Sequence, residues 1–318
     1  MLWRLRRRRL HLRRLRLNRK LELMKNFIIR TLSGLAFTVL VIGSLFWGPV
    51  AFAAVFGFIM VVAVYEFLNI TVGKTKYAAN ILAKAFTVVA AISLFVNMFM
   101  VSAYGAEPLY LLFTVLPIIG IFISNMYVKG FNVHEKEMVD GQERRKANGF
   151  EMFPYTLGAI VYVALPFSLM SLVLFDLSGV YNGNILLSMM VMLWCTDVGA
   201  YLLGSTLGQM FGHRLFPSIS PKKSWEGFFG GLICSVAGAV LLRYFGLLEL
   251  SLFDAIAVGI IICIFGVLGD LVESQLKRNF GVKDSGSIMP GHGGMLDRFD
   301  GALLAFPVAI IYIIFFAA

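Results

Sequence analysis

The 318-residue chain is 59% hydrophobic and 14% charged, where soluble domains run to about 45–50% apolar and about 25% charged. With a mean hydropathy of +0.82, this excludes a disordered chain and an ordinary soluble enzyme, and points to a polytopic membrane protein. The net charge of +10 does not describe a nucleic-acid binder. Residues 1–23 hold nine arginines and Lys20 against Glu22, leaving 18 basic and 17 acidic residues in the rest.

In chain order, a basic arm (1–26) precedes nine apolar runs. These fall at about 27–47, 50–68, 78–101, 109–127, 155–175, 184–208, 228–248, 254–272 and 301–318, each near the roughly 20 residues that one membrane-spanning helix needs. The first run is too long for the core of a secretory signal and has no clear cleavage site. The fold class expected is therefore all-α and polytopic, with N-terminal helices over 27–175 and a C-terminal catalytic region over 176–318.

The connections alternate in charge. Those near 48–49, 102–108, 176–183 and 249–253 contain no Lys or Arg, while the even-numbered ones carry nearly all the basic residues. The positive-inside rule then places the N terminus and the even-numbered turns in the cytoplasm, and the C terminus outside. Residues 129–151 mix five basic and five acidic side chains and read as a solvated connection. Cys195, Cys234 and Cys263 lie in apolar runs without metal-site spacing and read as small buried hydrophobes. His11, His134 and His213 read as solvated. Glu66, near the cytoplasmic end of the second run, reads as a snorkelling end residue rather than a site member.

Two constellations carry chemistry. The first runs from Asp270 to Asp300. Asp270, Glu273 and Lys277 share a helical face if the eighth span continues through them. Lys283, Asp284, His292, Asp297, Arg298 and Asp300 follow. Four carboxylates where two helices meet the membrane surface are costly unless they are paired or metal-bound. Hard carboxylate oxygens suit Mg²⁺ shared with substrate phosphates, and the neighbouring Lys277, Arg278 and Lys283 suit phosphate oxygens. The second begins at Asp197, an acid inside an apolar run, with Tyr201 on roughly the same helical face. Gly204 and Gly208 on that face read as helix packing. Ser218, Ser220, Lys222, Lys223, Ser224 and Glu226 then surround two prolines just ahead of a helix, where hydroxyls, ammonium groups and free N–H groups can cradle a phosphate.

The series Ser274, Lys277, Arg278, Lys283, Asp284, Gly286, Pro290, His292, Gly293, Gly294, Asp297, Arg298 and Asp300, at its spacing over 27 residues, resembles the signature of phosphatidate cytidylyltransferases, the CDP-diacylglycerol synthases. Asp197 to Gly204 and Ser218 to Gly227 resemble that family's second conserved region. The resemblance implies an enzyme of bacterial phospholipid biosynthesis in the cytoplasmic (inner) membrane, with its site facing the cytoplasm. It implies transfer from CTP to phosphatidic acid, giving CDP-diacylglycerol and diphosphate. It also implies a homodimer among membrane lipids, with no nucleic-acid partner.

Asp270, Lys277, Arg278, Asp297 and Asp300 are the expected catalytic set. Asp197, Asp270, Glu273, Asp297 and Asp300 are the expected ligands of Mg²⁺ in two cation sites, the second open to a monovalent ion. Ser218, Ser220, Lys222, Lys223, Ser224, Glu226, Ser274, Lys277, Arg278, Lys283, Asp284, His292 and Arg298 are the expected substrate contacts. Residues 1–23 depart from the short N terminus of bacterial members. They read first as an upstream start ahead of Met24, and second as an arm for anionic lipid. Two rivals remain: another CTP-using lipid headgroup transferase, and a cation-coupled transporter, which would explain Asp197.

Overall fold

The fold is taken from a computed structural model, which describes residues 28–73, 78–126, 136–139, 142–145, 149–176, 178–289, 291 and 293–317. The expectations for the arm, for Lys74 and Lys76, for most of the 129–151 connection including His134, and for His292 fall outside these residues.

Among the described residues, nine helices follow the nine apolar runs. They are α1 (Ile28–Trp47), α2 (Pro49–Thr71), α3 (Ala78–Tyr104), α4 (Pro108–Met126), α5 (Met152–Val173), α6 (Asn184–Phe211), α7 (Trp225–Tyr244), α8 (Leu252–Asn279) and α9 (Asp300–Phe316). The first eight are long and apolar enough to cross a membrane, and α9 is shorter at 17 residues. The protein is an all-α polytopic membrane protein, as composition and periodicity predict. Two short antiparallel hairpins interrupt the helices. One pairs β1 (Lys136–Val139) with β2 (Gln142–Arg145), and the other pairs β3 (Arg214–Phe216) with β4 (Ser220–Ser224).

The helix ends have local causes. Ser224 caps α7 by accepting the Gly227 N–H at 3.2 Å, and Ser251 caps α8 through the Asp254 N–H at 3.1 Å. Such caps satisfy amide groups that a helix leaves orphaned. The eighth helix does not stop where its apolar run ends at 272. It continues through the charged segment to Asn279, so Asp270, Glu273 and Lys277 do sit at helical spacing. The fifth helix is irregular: Ala159–Ala164 is π-helical and Met170–Val173 is 3₁₀.

The outward faces of α1, α3 and α4 are apolar, with Leu32, Val39, Val89 and Leu116 all more than half exposed, as lipid contact requires. The core lies under α2, α5, α6 and α9, where Phe52, Phe56, Phe167 and Phe306 are almost fully buried. Phe299, at the entrance to α9, packs against Phe37 of α1, Phe56 of α2 and Phe167 of α5, with ring centroids 4.9–6.3 Å apart. This aromatic knot fixes α9 against the N-terminal helices.

In contrast, α6 and α7 meet through glycine. A Cβ on Gly230 would lie 2.6 Å from the Gly199 carbonyl oxygen, and one on Gly227 would lie 3.0 Å from the Ala200 carbonyl oxygen. Small residues allow this backbone approach, which is the usual means of packing helices in lipid. Gly204 and Gly208 serve the same crossing, as their spacing predicts.

The expected consequence is a graded response. Gly230→Ala should destabilise the fold by an amount typical of overpacking, about 1–3 kcal/mol, read as a lowered thermal midpoint in detergent. Gly204→Ala should be nearly neutral, because its nearest neighbour across the interface is 3.5 Å away.

Candidate active site

Both charged constellations open on one cavity of about 740 Å³. Its polar wall is built by Asp197 from α6, Lys222 and Lys223 from β4, Asp270 from α8, Asp297 and Arg298 from the turn before α9, and Asp300 from α9. Its opposite wall is apolar and includes Phe37 and Val41 of α1 and Phe306 of α9. The structure thus brings together eight of the expected site residues, the seven named here and Ser224, with Tyr201 and Gly204 of α6 beside them.

The acids are held by ammonium groups. Lys223 Nζ lies 2.7 Å from Asp270 Oδ2 and donates at 3.3 Å to the Val267 carbonyl. Ser274 donates to the other oxygen of Asp270 at 3.1 Å. Lys277 bridges two carboxylates, Glu273 Oε2 at 2.6 Å and Asp297 Oδ1 at 2.7 Å. Glu273 is fully buried and Lys277 nearly so, so removing either partner would strand a charge. Asp297 Oδ2 accepts two backbone N–H groups, from Ser285 and Gly294, each at 2.9 Å. Burial works against ionisation of Asp297, but Lys277 and these two amides outweigh it and hold the carboxyl below its ordinary value.

Asp300 Oδ1 accepts the N–H of Gly301 at 2.7 Å. Asp197, Asp270 and Asp300 lie within electrostatic reach of one another. Three like charges in one cavity repel, and only cations or protons relieve that.

The donor set fits a hard divalent cation in its chemistry, since every candidate ligand is a carboxylate oxygen. Glu273 Oε1 supports the fit, because it is buried and has no hydrogen-bond partner. In the present geometry, however, no three His, Cys, Asp or Glu side chains among the described residues converge closely enough to hold an ion. The lysines occupy much of the carboxylate surface instead. The described residues offer the donors but not a complete shell.

Other expected residues sit away from the cavity. Arg278 is exposed and donates to the Val282 carbonyl at 3.3 Å, closing the end of α8. Lys283 and Asp284 are exposed on the α8–α9 connection, and Ser218 lies at the exposed tip of the β3–β4 hairpin with Ser220 half-buried beside it. Ser224 lines the cavity, but its hydroxyl is engaged as the α7 cap. Glu226 pairs with His213 at 2.7 Å, so His213 is exposed but not simply solvated.

Two site residues were not legible in the sequence. Glu66 does not snorkel, which corrects the expectation for it. Only 3% exposed, it accepts the Leu296 N–H at 2.8 Å and the Ser285 hydroxyl at 3.1 Å. Ser285 is the second: its amide binds Asp297, and its hydroxyl also accepts the Asp297 N–H at 3.3 Å. The available signal for Glu66 was that an acid inside an apolar run is costly unless it has a task. The Glu66 contacts set the end of α2 beside the α8–α9 connection, and the Lys223–Asp270 pair sets the β3–β4 hairpin beside α8.

The sequence model of the cytidylyltransferase family matches residues 28–316. Over 124 residues, 39% of this chain, the sequence is 50% identical to the phosphatidate cytidylyltransferase of Staphylococcus haemolyticus. Over the same length it is 48% identical to the proteins of that name from Staphylococcus epidermidis and Staphylococcus aureus. The matched segment spans about half of each relative, 46% of its length. The family match takes in all nine helices and both walls of the cavity, and the chain belongs to the cytidylyltransferase family.

Proposed function

We propose that the protein is a phosphatidate cytidylyltransferase of the bacterial cytoplasmic membrane, joining CTP and phosphatidic acid to give CDP-diacylglycerol and diphosphate. One observation carries this reading: a single cavity sets carboxylates, two lysines and an arginine against an apolar wall of α1. A nucleotide triphosphate needs the first kind of surface and a lipid needs the second. The names of the staphylococcal relatives support the same substrates.

In this reading an oxygen of the lipid phosphate attacks the α-phosphorus of CTP. A new P–O bond forms, the α–β P–O bond breaks, and diphosphate leaves with the electron pair. A phosphate monoester has a second pKa of about 6, so the nucleophile is largely ionised at neutral pH and needs no dedicated base. Lys222, Lys223 and Arg298 bind and orient phosphate oxygens along the polar wall. Lys277 keeps Glu273 and Asp297 apart and aligned. The apolar wall holds the acyl chains near the glycerol and keeps water from the reacting phosphate. Asp270, Glu273, Asp297 and Asp300, with Asp197, would be the donors to Mg²⁺, and the chemistry that ion would supply is neutralisation of phosphate charge.

The direct test is purified protein in detergent with phosphatidic acid, radiolabelled CTP and Mg²⁺. Lipid-extractable label should form, disappear with EDTA, and fall by roughly 100- to 1,000-fold in Asp297→Asn and Asp270→Asn. Folded, Mg²⁺-binding wild-type protein that forms no labelled lipid would sink the substrate assignment.

A pH dependence follows from Asp297. A carboxyl held below its ordinary value stabilises the fold above the unfolded pKa of about 3.9, and that contribution is lost as the pH falls through the lower folded value. The thermal midpoint of wild type should therefore exceed that of Asp297→Asn at pH 6. The difference should shrink below pH 4. A difference that is constant between pH 6 and pH 3 would contradict the ionised pairing.

A further inference from the structure

The α8–α9 connection is long, glycine-rich and charged, yet it must hold Asp297 to within a fraction of an ångström of a fixed place if that carboxylate works on phosphates. Its own hydrogen bonds do not anchor it to the membrane body. The Lys277, Ser285 and Gly294 contacts to Asp297 all come from α8 or from the connection itself. Beside the ring packing of Phe299, the hydrogen-bonded anchor from outside, among the described residues, is Glu66. A single oxygen, Oε2, receives both the Leu296 N–H and the Ser285 hydroxyl, across 230 and 219 residues of sequence. The adjacent chain is shaped around this carboxylate: a Cβ on Gly286 would collide with Glu66 Oε1, and one on Gly294 would press on the Gly286 amide at 2.6 Å. Leu296 and Ser285 flank the Asp297 contacts in space, one immediately before it in the chain and the other bonded to its carboxylate.

We propose that Glu66 is a positioning residue for the reaction: through the Leu296 amide and Ser285 it sets the orientation of Asp297 at the cavity wall. The inference rests on the cytidylyltransferase reading for its kinetic readout, but not for its structural one. Glu66 does not line the cavity, so it acts on Asp297 and not on substrate. What it supplies is an acceptor at one point. Its other oxygen, Oε1, is buried without a hydrogen-bond partner, so the negative charge is not what the connection uses. Glutamine can place its carbonyl oxygen where Oε2 stands and keep both bonds. Alanine cannot, and aspartate is one methylene too short.

The test compares wild type with Glu66→Gln, Glu66→Ala and Ser285→Ala in detergent. Two readouts are taken: kcat and KM for CTP with phosphatidic acid, and amide hydrogen exchange over 281–299 without substrate. Glu66→Ala and Ser285→Ala should lower kcat roughly 10- to 100-fold, the scale of a small misplacement of a catalytic group. KM for CTP should rise by less than kcat falls, because two of the three cations assigned to phosphate, Lys222 and Lys223, lie on β4 and only Arg298 lies beside the connection. Both variants should exchange faster over 285–297. Glu66→Gln should match wild type within about threefold on both readouts. The proposal is overturned if Glu66→Gln falls as far as Glu66→Ala, since charge and not placement would then matter. It is also overturned if exchange in the connection is unchanged in Glu66→Ala. Should Glu66→Ala fail to fold, Glu66→Gln and Ser285→Ala decide the matter. A wild-type protein without cytidylyltransferase activity would defeat the functional reading, and the exchange measurement would still decide whether Glu66 anchors the connection.

Discussion

One ammonium group, that of Lys277, stands between two carboxylates drawn from different elements, Glu273 one helical turn before it and Asp297 twenty residues after it. Without it both carboxylates would lose their only ion-pair partner among the described residues, and Glu273, fully buried, would have no cation to face. Lys223 does the same for Asp270 from the opposite hairpin. The polar site is thus a set of negative charges fixed by positive ones that face the same cavity. The pairing is incomplete: Asp270 has its own ammonium group, Glu273 and Asp297 share one, and Asp197 and Asp300 have no ion pair among the described residues. The cavity therefore keeps an excess of negative charge that an incoming cation would relieve.

The membrane body exists to bring these pairs into register. Glycine lets α6 and α7 approach until backbone atoms touch, which sets Asp197 opposite the hairpin that carries Lys223. Glycine again lets α8 and α9 cross: a Cβ on Gly301 would lie 3.2 Å from the Gly266 carbonyl oxygen, so Asp270 and Asp300 come to face the same space. On the far side the Phe299 knot locks the start of α9 to α1, α2 and α5. Large and small residues therefore have opposite duties at the two sides of one helix entrance. The aromatic side resists sliding, and the glycine side permits closeness.

The helices were legible because hydropathy is a local property: each run of apolar residues is long enough to announce its span without knowledge of its neighbours. Boundaries shifted where polar residues continued a helix, as at the end of α8, since a charged face turned to a cavity looks like loop in a hydropathy reading. The two motif clusters were legible because unusual residues sit close together in sequence. What could not be read was direction. Arg278 and Lys277 are adjacent and chemically alike, yet one binds the acids and the other closes a helix end, because consecutive positions on a helix point about 100° apart. Lys283 and Asp284 carry the same ambiguity in a loop. For Glu66 and Ser285 the missing information was the partner: the bonds that join Glu66 to Ser285 and Leu296 span more than two hundred residues, and no local pattern records a partner at that distance.

The glycine contact between α8 and α9 has a consequence for the shape of the cavity. A Cβ on Gly269 would lie 2.5 Å from the Asp300 carbonyl oxygen, so backbone meets backbone one residue from Asp270 and at Asp300 itself. The spacing of these two acids is therefore set by main chain, which cannot change rotamer, and not by side-chain packing, which can.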